Sequence, residues 1–267
     1  MRPATVSSSL IVALLAIATS CAAPARHASP AATPTATPSP APSPSPTPLI
    51  TKTVVIDPGH NGGNAAHSRE ISRLVDAVTL HKPCDVVGAS TDSGYPESAF
   101  TLDVSQRVAA LLRQSGIRVV LTRTTDTGWG PCITERAAIG NRNHADAAIS
   151  IHADGGPASG RGFHVIEPGI IPGYTDAIVA PSRRLGLDVR DAYRAGTGLP
   201  YSTYVGTNAI NVRTDLGGLN LSKVPKVFIE CANMRNATDA ALITSPVFRA
   251  RIAAAIADGV RAFLAGR

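Results

Sequence analysis

Four short runs rich in β-branched residues are spaced along the chain, with helical patterns between them. They are TVVID (53–57), IRVVLT (117–122), DAAISI (146–151) and KVFIE (226–230). Short apolar runs of this kind are typical of parallel strands that are covered on both faces. The alternation predicts an α/β fold, a single-domain sandwich in which helices flank a mostly parallel, twisted β-sheet.

Helix boundaries can be predicted in two segments. One helix is predicted from Glu97 to Ser115, between Pro96 and Gly116, and the last helix is predicted to begin at Ser245 and Pro246. Proline near the start of a helix and glycine just after its end are common boundary residues. Both segments repeat apolar residues at helical spacing, so each is expected to pack one face on the sheet.

The first 50 residues predict export. Residues 1–21 combine a basic start, an apolar run (LIVALLAIA) and small residues, which is the layout of a secretory signal peptide. That run is shorter than the ~20 residues of a membrane-spanning helix. Residues 22–50 are almost wholly Ala, Pro, Ser and Thr, a composition typical of an extended linker. The folded domain is therefore predicted over 51–267, in an exported protein of the cell envelope or periplasm.

Cys21 leaves two processing routes open. The small residues before it resemble a lipoprotein box, in which the cysteine is lipidated, although the box usually begins with Leu and this one begins with Ala18. The alternative is plain cleavage among the alanines of 22–25. A lipid at Cys21 would be this protein's only expected link to a membrane.

The formal charge of +6 is modest, and aromatic residues make up 4% of the chain. A nucleic-acid interface would require a dense basic face with stacking aromatics, so nucleic acid is not expected as a partner. An anionic polymer of the cell envelope fits the charge better. A monomer is expected.

Three cysteines follow Cys21, and none forms a CxxC pair. In an oxidising compartment two of the three should pair. Cys84 and Cys132 lie in loop-like segments and Cys231 lies in an apolar strand, so a bond between Cys84 and Cys132 is expected, although the sequence alone does not decide the pairing.

Three predicted strands are followed or ended by groups that can bind a metal. His60 follows the first strand, His152 ends the third, and Glu230 ends the last, while Glu97 begins a helix. Two imidazoles and a carboxylate are a typical catalytic zinc set, and a further carboxylate can act as a base. Taken singly, a strand-end histidine or a first-turn glutamate is more often structural.

The motifs VVIDPGHNGG, SIHADGG and VFIECANMRNATDAALI, with the glutamate of YPESAF, resemble the zinc-dependent N-acetylmuramoyl-L-alanine amidase family (Amidase_3 type), most closely its mycobacterial cell-wall members. The resemblance covers 51–267. It implies hydrolysis of the amide between N-acetylmuramic acid and L-alanine in peptidoglycan or muropeptides.

The resemblance also implies residue roles. His60, Glu97 and His152 would hold one zinc ion per chain, and Glu230 would be the catalytic acid and base. It supports the Cys84–Cys132 pairing as well. Where the family usually has glycine two residues after the catalytic glutamate, this chain has Ala232.

Four further predictions concern neighbouring residues. Glu70 is nearer to His60 in sequence than Glu97 is, but it lacks the helix-start context and is not expected to bind metal. Asp57 and Asp154 are expected to accept hydrogen bonds from the metal-binding histidines. His164 is expected to be structural or to lie at the edge of the substrate.

The stretch from Asn64 to Tyr95 is particular to this chain and does not follow the family pattern. The apolar residues between Ile71 and Val78 fit a short helix, and VTLHKPCDVV (78–87) fits a hairpin.

Two other function classes remain open at this point. A zinc carboxypeptidase acting on stem peptides would share the metal set but would need a cationic anchor for a terminal carboxylate, for which Arg213 is the nearest candidate. A non-catalytic peptidoglycan-binding protein would keep the fold and lose ligands, whereas all four key residues are present.

Overall fold

The computed structural model describes residues 51–266. The signal peptide predicted over 1–21, the linker predicted over 22–50 and the lipidation site at Cys21 lie outside the described residues. Within them, the strands are Thr53–Pro58 (β1), Leu74–Asp76 (β2), His81–Pro83 (β3), Arg118–Leu121 (β4), Ala147–Asp154 (β5), His164–Pro168 (β6), Ile210–Arg213 (β7) and Lys226–Asn233 (β8).

The helices are Ser68–Ile71 (α1), Glu97–Gln114 (α2), Ile133–Arg142 (α3), Asp176–Thr197 (α4), Gly217–Asn220 (α5), Ala237–Ile243 (α6) and Pro246–Leu264 (α7). The Ser245 hydroxyl accepts from the backbone N–H of Phe248 at the start of α7. This is the N-cap contact that a serine before a helix provides.

Six strands form the main sheet in the order β4-β1-β5-β8-β6-β7. The first four are mutually parallel, and β6 and β7 run antiparallel to them. The mostly parallel α/β sheet that the sequence predicts is thus confirmed.

The two faces of this sheet differ in how they are covered. Helices α2, α4 and α7 pack together against one face, while α3 and α5 contact the other. Since side chains alternate along a strand, Val54 and Ile56 enter the main core and Val55 lies on the α3 face. The smaller helices leave part of that second face open at the carboxyl ends of the parallel strands.

The 64–95 segment folds differently from its predicted short helix. Leu74 and Val75 belong to β2, which pairs with β3 in an antiparallel hairpin, so helix α1 ends at Ile71. Val78 lies in the turn with φ at 77°. A hairpin is present as predicted, but its first strand begins before Val78.

A disulfide joins Cys84 and Cys132, and Cys231 is buried as a free thiol. In the part of the chain that the structure describes, no single helix is long and apolar enough to cross a membrane. The bent pair α6 and α7, taken together, has the length and composition to cross a membrane. Its apolar residues, such as Ile243 and Ile252, lie in the core instead.

Candidate metal centre and catalytic cleft

The predicted site residues meet at one edge of the sheet. His60 lies two residues beyond β1, and Glu97 is the first residue of α2. His152 in β5 lies directly opposite Glu230 in β8. Open α/β sheets bind ligands beyond the carboxyl ends of their parallel strands, which is where these side chains lie.

The carboxylate of Glu97 lies between the two histidines. Its Oε2 is 3.2 Å from Nε2 of His60, and its Oε1 is 3.0 Å from Nδ1 of His152. The backbone N–H of Ala89 donates to Oε2 and that of Ala153 donates to Oε1. One ligand atom from each of the three side chains lies within 4.8 Å of the others. The backbone thus fixes the carboxylate in an orientation that faces both rings.

The loop after β3 sets the tautomer of His60. Nδ1 of His60 is 2.9 Å from the carbonyl oxygen of Val86. Because a carbonyl oxygen only accepts, Nδ1 donates its proton to Val86, which leaves Nε2 as the nitrogen that faces Glu97. Oδ1 of Asp85 lies 3.6 Å from the same Nδ1.

The acceptors predicted for the histidines were wrong. Asp57 accepts from Ser150, Arg136 and Lys226 below the site, and Asp154 lies beside Tyr204. The alternation of β1 explains the error for Asp57, because it directs that side chain onto the α3 face of the sheet and away from the metal centre. Val86 and Asp85 take the place that was predicted for Asp57.

Charges around the site oppose the effect of burial on the pKa values of His60 and Glu97. Burial alone would lower the pKa of His60, but Glu97 and Asp85 raise it to about 10. Burial alone would raise the pKa of Glu97, but His60 and His152 hold it below its ordinary value. Glu97 is therefore ionised. Its negative charge favours a cation in the space between the three side chains.

The environment of Glu230 favours the protonated acid. Glu230 is half-buried, and its Oε2 is enclosed with no hydrogen-bond partner among the described residues. Burial raises the pKa of Glu230 well above its ordinary value, and the charges of Glu97 and Asp154 add to this. A raised pKa makes a carboxylate a better proton acceptor, as general acid–base catalysis requires.

The donor set fits a zinc ion. Two imidazoles and one carboxylate are the protein ligands of many catalytic zinc sites, and they leave a position for water or substrate. Nε2 of His60, which faces Glu97, and the ionised carboxylate of Glu97 suit coordination once a metal takes the place of the Nε2 proton. By contrast, Glu70 lies 3.5 Å from His67 on the surface and is not part of the cluster.

The part of the chain that carries the site matches one family of known proteins. A sequence model of the Amidase_3 family, described as N-acetylmuramoyl-L-alanine amidase, matches residues 54–262. The N-acetylmuramoyl-L-alanine amidase Rv3717 of Mycobacterium tuberculosis is 42% identical over 213 residues, which are 79% of this chain and 86% of that protein. The chain belongs to the N-acetylmuramoyl-L-alanine amidase family.

Two solved structures share the fold of this amidase. The amidase Ami1 from Mycobacterium smegmatis has a TM-score of 0.76 and 42% identity, covering 81% of this chain and 98% of that one. The apo form of Ami1 from Mycobacterium abscessus has a TM-score of 0.75 and 42% identity, covering 81% and 100%. The predicted resemblance and the predicted α/β fold are both confirmed, and the chain is a hydrolase.

Two glycines of the amidase lie directly against the metal-binding side chains. A Cβ on Gly59 would lie 2.3 Å from Cε1 of His152. A Cβ on Gly88, where φ is +87°, would lie 2.6 Å from Cδ2 of His60 and 2.9 Å from Oε2 of Glu97. His60 and Glu97 were predicted from the sequence, but Gly88 was not, because the fold of its loop depends on the hairpin and the disulfide.

A buried ionic network supports the backbone around His60. Arg136 of α3 donates to Asp57, to Asp85 and to the backbone oxygen of His60. Lys226 lies 3.2 Å from the other oxygen of Asp57. Sequence reasoning missed Arg136, although an aspartate at the end of a buried strand signals the need for a buried cation.

His164 lies on the far side of Glu230 from His152. The antiparallel pairing of β6 with β8 places His164 directly opposite Glu230. Burial lowers the pKa of His164 to about 4, so the ring is neutral at pH 7. A neutral ring borders Glu230 without adding a positive charge that would stabilise its ionised form.

Two cavities open beside the metal centre. The first, which we call the catalytic cleft, has a volume of about 300 Å³ and is lined by the site residues together with Ile166 and Arg213. The second, which we call the side cavity, has a volume of about 230 Å³ and extends between α3, α5 and the hairpin. His60, His152, Leu216 and Phe228 line both, so the two spaces meet at the metal centre.

Proposed function

We propose that this amidase hydrolyses the amide bond between N-acetylmuramic acid and L-alanine in peptidoglycan or its fragments, with zinc held by His60, Glu97 and His152. The observation that carries the proposal is the position of Glu230, a half-buried carboxyl group directly opposite one of the zinc ligands. The names of the relatives support the choice of bond.

A bound zinc ion would supply Lewis-acid chemistry, lowering the pKa of a water molecule and polarising the scissile carbonyl. His60 and His152 would each offer a neutral nitrogen. Glu97 would offer a carboxylate that the backbone N–H groups of Ala89 and Ala153 already orient. This orientation lowers the reorganisation needed when ligands bind.

In the proposed mechanism Glu230 moves the protons. Its carboxylate takes a proton from the attacking water and later delivers that proton to the nitrogen of the leaving peptide. The raised pKa suits this role, because it makes the carboxylate of Glu230 a stronger proton acceptor than an ordinary carboxylate. The neutral His164 on its other side leaves that proton on Glu230.

The cell envelope is the proposed location. Relatives named as cell wall amidases act outside the cytoplasm, and this agrees with the export signal expected over residues 1–21. Lipidation at Cys21 remains a prediction, which mass spectrometry of the N-terminal peptide from cell envelopes would test. The chain is proposed to act as a monomer, which light scattering would check.

Mass spectrometry of defined muramoyl-peptides tests the reaction. The purified protein is stripped of metal with a chelator and assayed before and after zinc is restored. Zinc-dependent release of an intact peptide that begins with L-alanine supports the proposal. Cleavage within the peptide would assign the protein to the peptidases instead.

The role of Glu230 is tested by Glu230→Gln, which keeps the size of the side chain and removes its carboxylate. We expect hydrolysis to fall by about a thousandfold, since the proton acceptor is lost, while zinc content stays the same. Glu70→Gln, at the exposed glutamate excluded above, is the control and should hydrolyse normally. A Glu230→Gln variant with near-normal turnover would rule out the assigned role.

A further inference from the structure

Asp215 joins two cations at the rim of the site. Its carboxylate accepts from Nε of Arg213 at 2.8 Å and from Nη2 of the same guanidinium at 2.6 Å. Nζ of Lys82, in the hairpin, lies 3.3 Å from Oδ2 of Asp215. The three side chains therefore form one cluster that links β7 to β3.

This cluster lies where the catalytic cleft meets the side cavity. Arg213 lines the cleft, Lys82 lines the side cavity, and Leu216, the residue after Asp215, lines both. A peptide that leaves the metal centre along the junction of these spaces would pass both cations.

The cluster keeps positive charge available to a ligand. Hydrogen bonds from Arg213 lower the pKa of Asp215 to about 2, so one carboxylate faces two cations and the net charge is positive. Nη1 of Arg213 makes no hydrogen bond to another described residue, and the side chains of Arg213 and Lys82 are 37% and 29% exposed. Both cations can therefore reach a further anion.

Backbone contacts hold the cluster in place. Oγ1 of Thr79, in the hairpin turn, donates to the carbonyl oxygen of Thr214. Nδ2 of Asn220 donates to the carbonyl oxygens of both Ala77 and Thr214. These contacts fix the separation between the hairpin and the end of β7, which preorganises Lys82 and Arg213 for one ligand group.

We propose that Arg213 and Lys82 form a recognition site for a free carboxylate on the peptide side of the scissile amide. A guanidinium with a free N–H edge suits a carboxylate, and an ammonium group adds charge without demanding a fixed geometry. The inference rests on the proposed amidase function and adds a substrate class, muramoyl-peptides whose peptide carries an unamidated carboxylate.

Three substrates test this preference. They are N-acetylmuramoyl-L-alanyl-D-glutamic acid with both carboxylates of its glutamate free, the same compound with the α-carboxylate amidated, and the compound with both carboxylates amidated. For the unmodified chain we expect kcat/KM to fall by about tenfold to a hundredfold when the recognised carboxylate is amidated. The loss should appear mainly in KM, because Arg213 lines the cleft without being one of the proposed metal ligands.

Arg213→Gln should abolish this discrimination. Its kcat/KM for the diacid should fall to its own value for the diamide, so that the ratio of the two values is close to one. Lys82→Gln should have a smaller effect, lowering the ratio of kcat/KM for the diacid to kcat/KM for the diamide by about threefold. Arg183→Gln is the matched control, because Arg183 is also paired with a carboxylate, Glu167, and lines neither cavity.

Asp215→Asn separates recognition from structural support. If the ion pair only holds the hairpin, Asp215→Asn and Arg213→Gln should impair all three substrates alike, and that result would overturn the inference. If Arg213 recognises substrate, Asp215→Asn keeps the preference for the carboxylate.

Equal kcat/KM for the three substrates with the unmodified chain would also overturn the inference. That result would leave the amidase proposal intact, since the bond cleaved would be unchanged. Failure to release L-alanine-terminated peptide from any of the three would instead overturn the amidase proposal.

Discussion

At the scale of single residues, the metal centre depends on positions that exclude a side chain. Gly88 has a φ of +87° and approaches both His60 and Glu97. Any Cβ there must displace a proposed metal ligand, because its closest neighbours are the ring of His60 and the carboxylate of Glu97. His60 itself adopts a φ of 55°, in a region that residues other than glycine seldom occupy. Local strain at such positions often accompanies a functional site.

Gly88→Ala should therefore weaken zinc binding. We expect at least a tenfold loss of zinc affinity, measured by competition with a chromogenic chelator, because the ring of His60 must move. Gly94→Ala is a close control: Gly94 has the same φ of +87° but nothing within 4 Å of its Cβ position.

The control should lose about 1–2 kcal/mol of unfolding free energy from backbone strain, with unchanged zinc affinity. Equal zinc affinities in the two variants would show that the approach of Gly88 to the ligands has no effect.

The clustering of the candidate ligands was predictable from the sequence, whereas their supporting contacts were not. His60, His152 and Glu230 are predicted at one sheet edge because they follow or end apolar runs, and parallel strands bring such ends together. Asp85 and Val86 were missed, because their approach to His60 depends on the path of a loop that no periodicity describes. The alternation of side chains along β1 could have corrected the prediction for Asp57, since its neighbours in that strand show which face of the sheet it occupies.

At the scale of elements, the disulfide joins the β2–β3 hairpin segment to the start of α3. Cys84 follows β3 directly, and Cys132 precedes α3. Both elements border the side cavity and carry groups that support His60. The bond therefore limits how far the hairpin can move from α3.

Replacing both cysteines by alanine should destabilise the fold by about 4 kcal/mol. The chain-entropy estimate follows from the sequence separation of 48 residues that the bond spans. Urea unfolding of Cys84→Ala/Cys132→Ala measures the loss. Cys231→Ala, at the buried free thiol, should cost only about 1 kcal/mol and serves as the control for loss of a cysteine side chain. If the double variant and Cys231→Ala lost the same unfolding free energy, the result would contradict a stabilising contribution from the cross-link.

The accuracy of the element predictions followed the strength of the periodic signal. The strands predicted at 53–57 and 226–230 and the helix predicted from Glu97 to Ser115 lie close to their observed bounds. The 71–78 segment was assigned to a helix because apolar spacing in so short a window fits either structure. Its pairing with β3 decides the outcome, and that pairing depends on tertiary contacts.

At the scale of the whole molecule, buried charge lies on the thinly covered face of the sheet. Asp57 in β1 connects to Ser150 in β5, Lys226 in β8 and Arg136 in α3. Burial would raise the pKa of Asp57, but Lys226 and Arg136 hold it well below its usual range. The network thus joins the central strands to α3 through one carboxylate.

Asp57→Asn tests this network through its pH dependence. A lowered pKa in the folded state means that the carboxylate stabilises the fold above its unfolded pKa near 3.8, and that this stability is lost as the pH falls below that value. We expect the variant to be about 3 kcal/mol less stable near pH 7, with the difference shrinking between pH 4 and pH 2. Urea unfolding across this range measures it.

Asp191→Asn, at an exposed pair with Arg190, is the control and should follow the unmodified chain at every pH. If the difference in unfolding free energy between Asp57→Asn and the unmodified chain stayed constant down to pH 2, the stabilising role of the ionised Asp57 would be contradicted.

The reversed direction of β6 has a consequence for how relatives of this chain can diverge. Because β6 runs antiparallel to β8, its first residue lies at the edge where β5 ends. The loop of residues 155–163 therefore leaves the rim of the cleft and returns to it, and Tyr204 packs against two of its glycines. Insertions or deletions there would reshape the mouth of the cleft while every strand register stayed the same. Length variation in this one loop thus offers a route to new substrate ranges that leaves the metal ligands and the core unaltered.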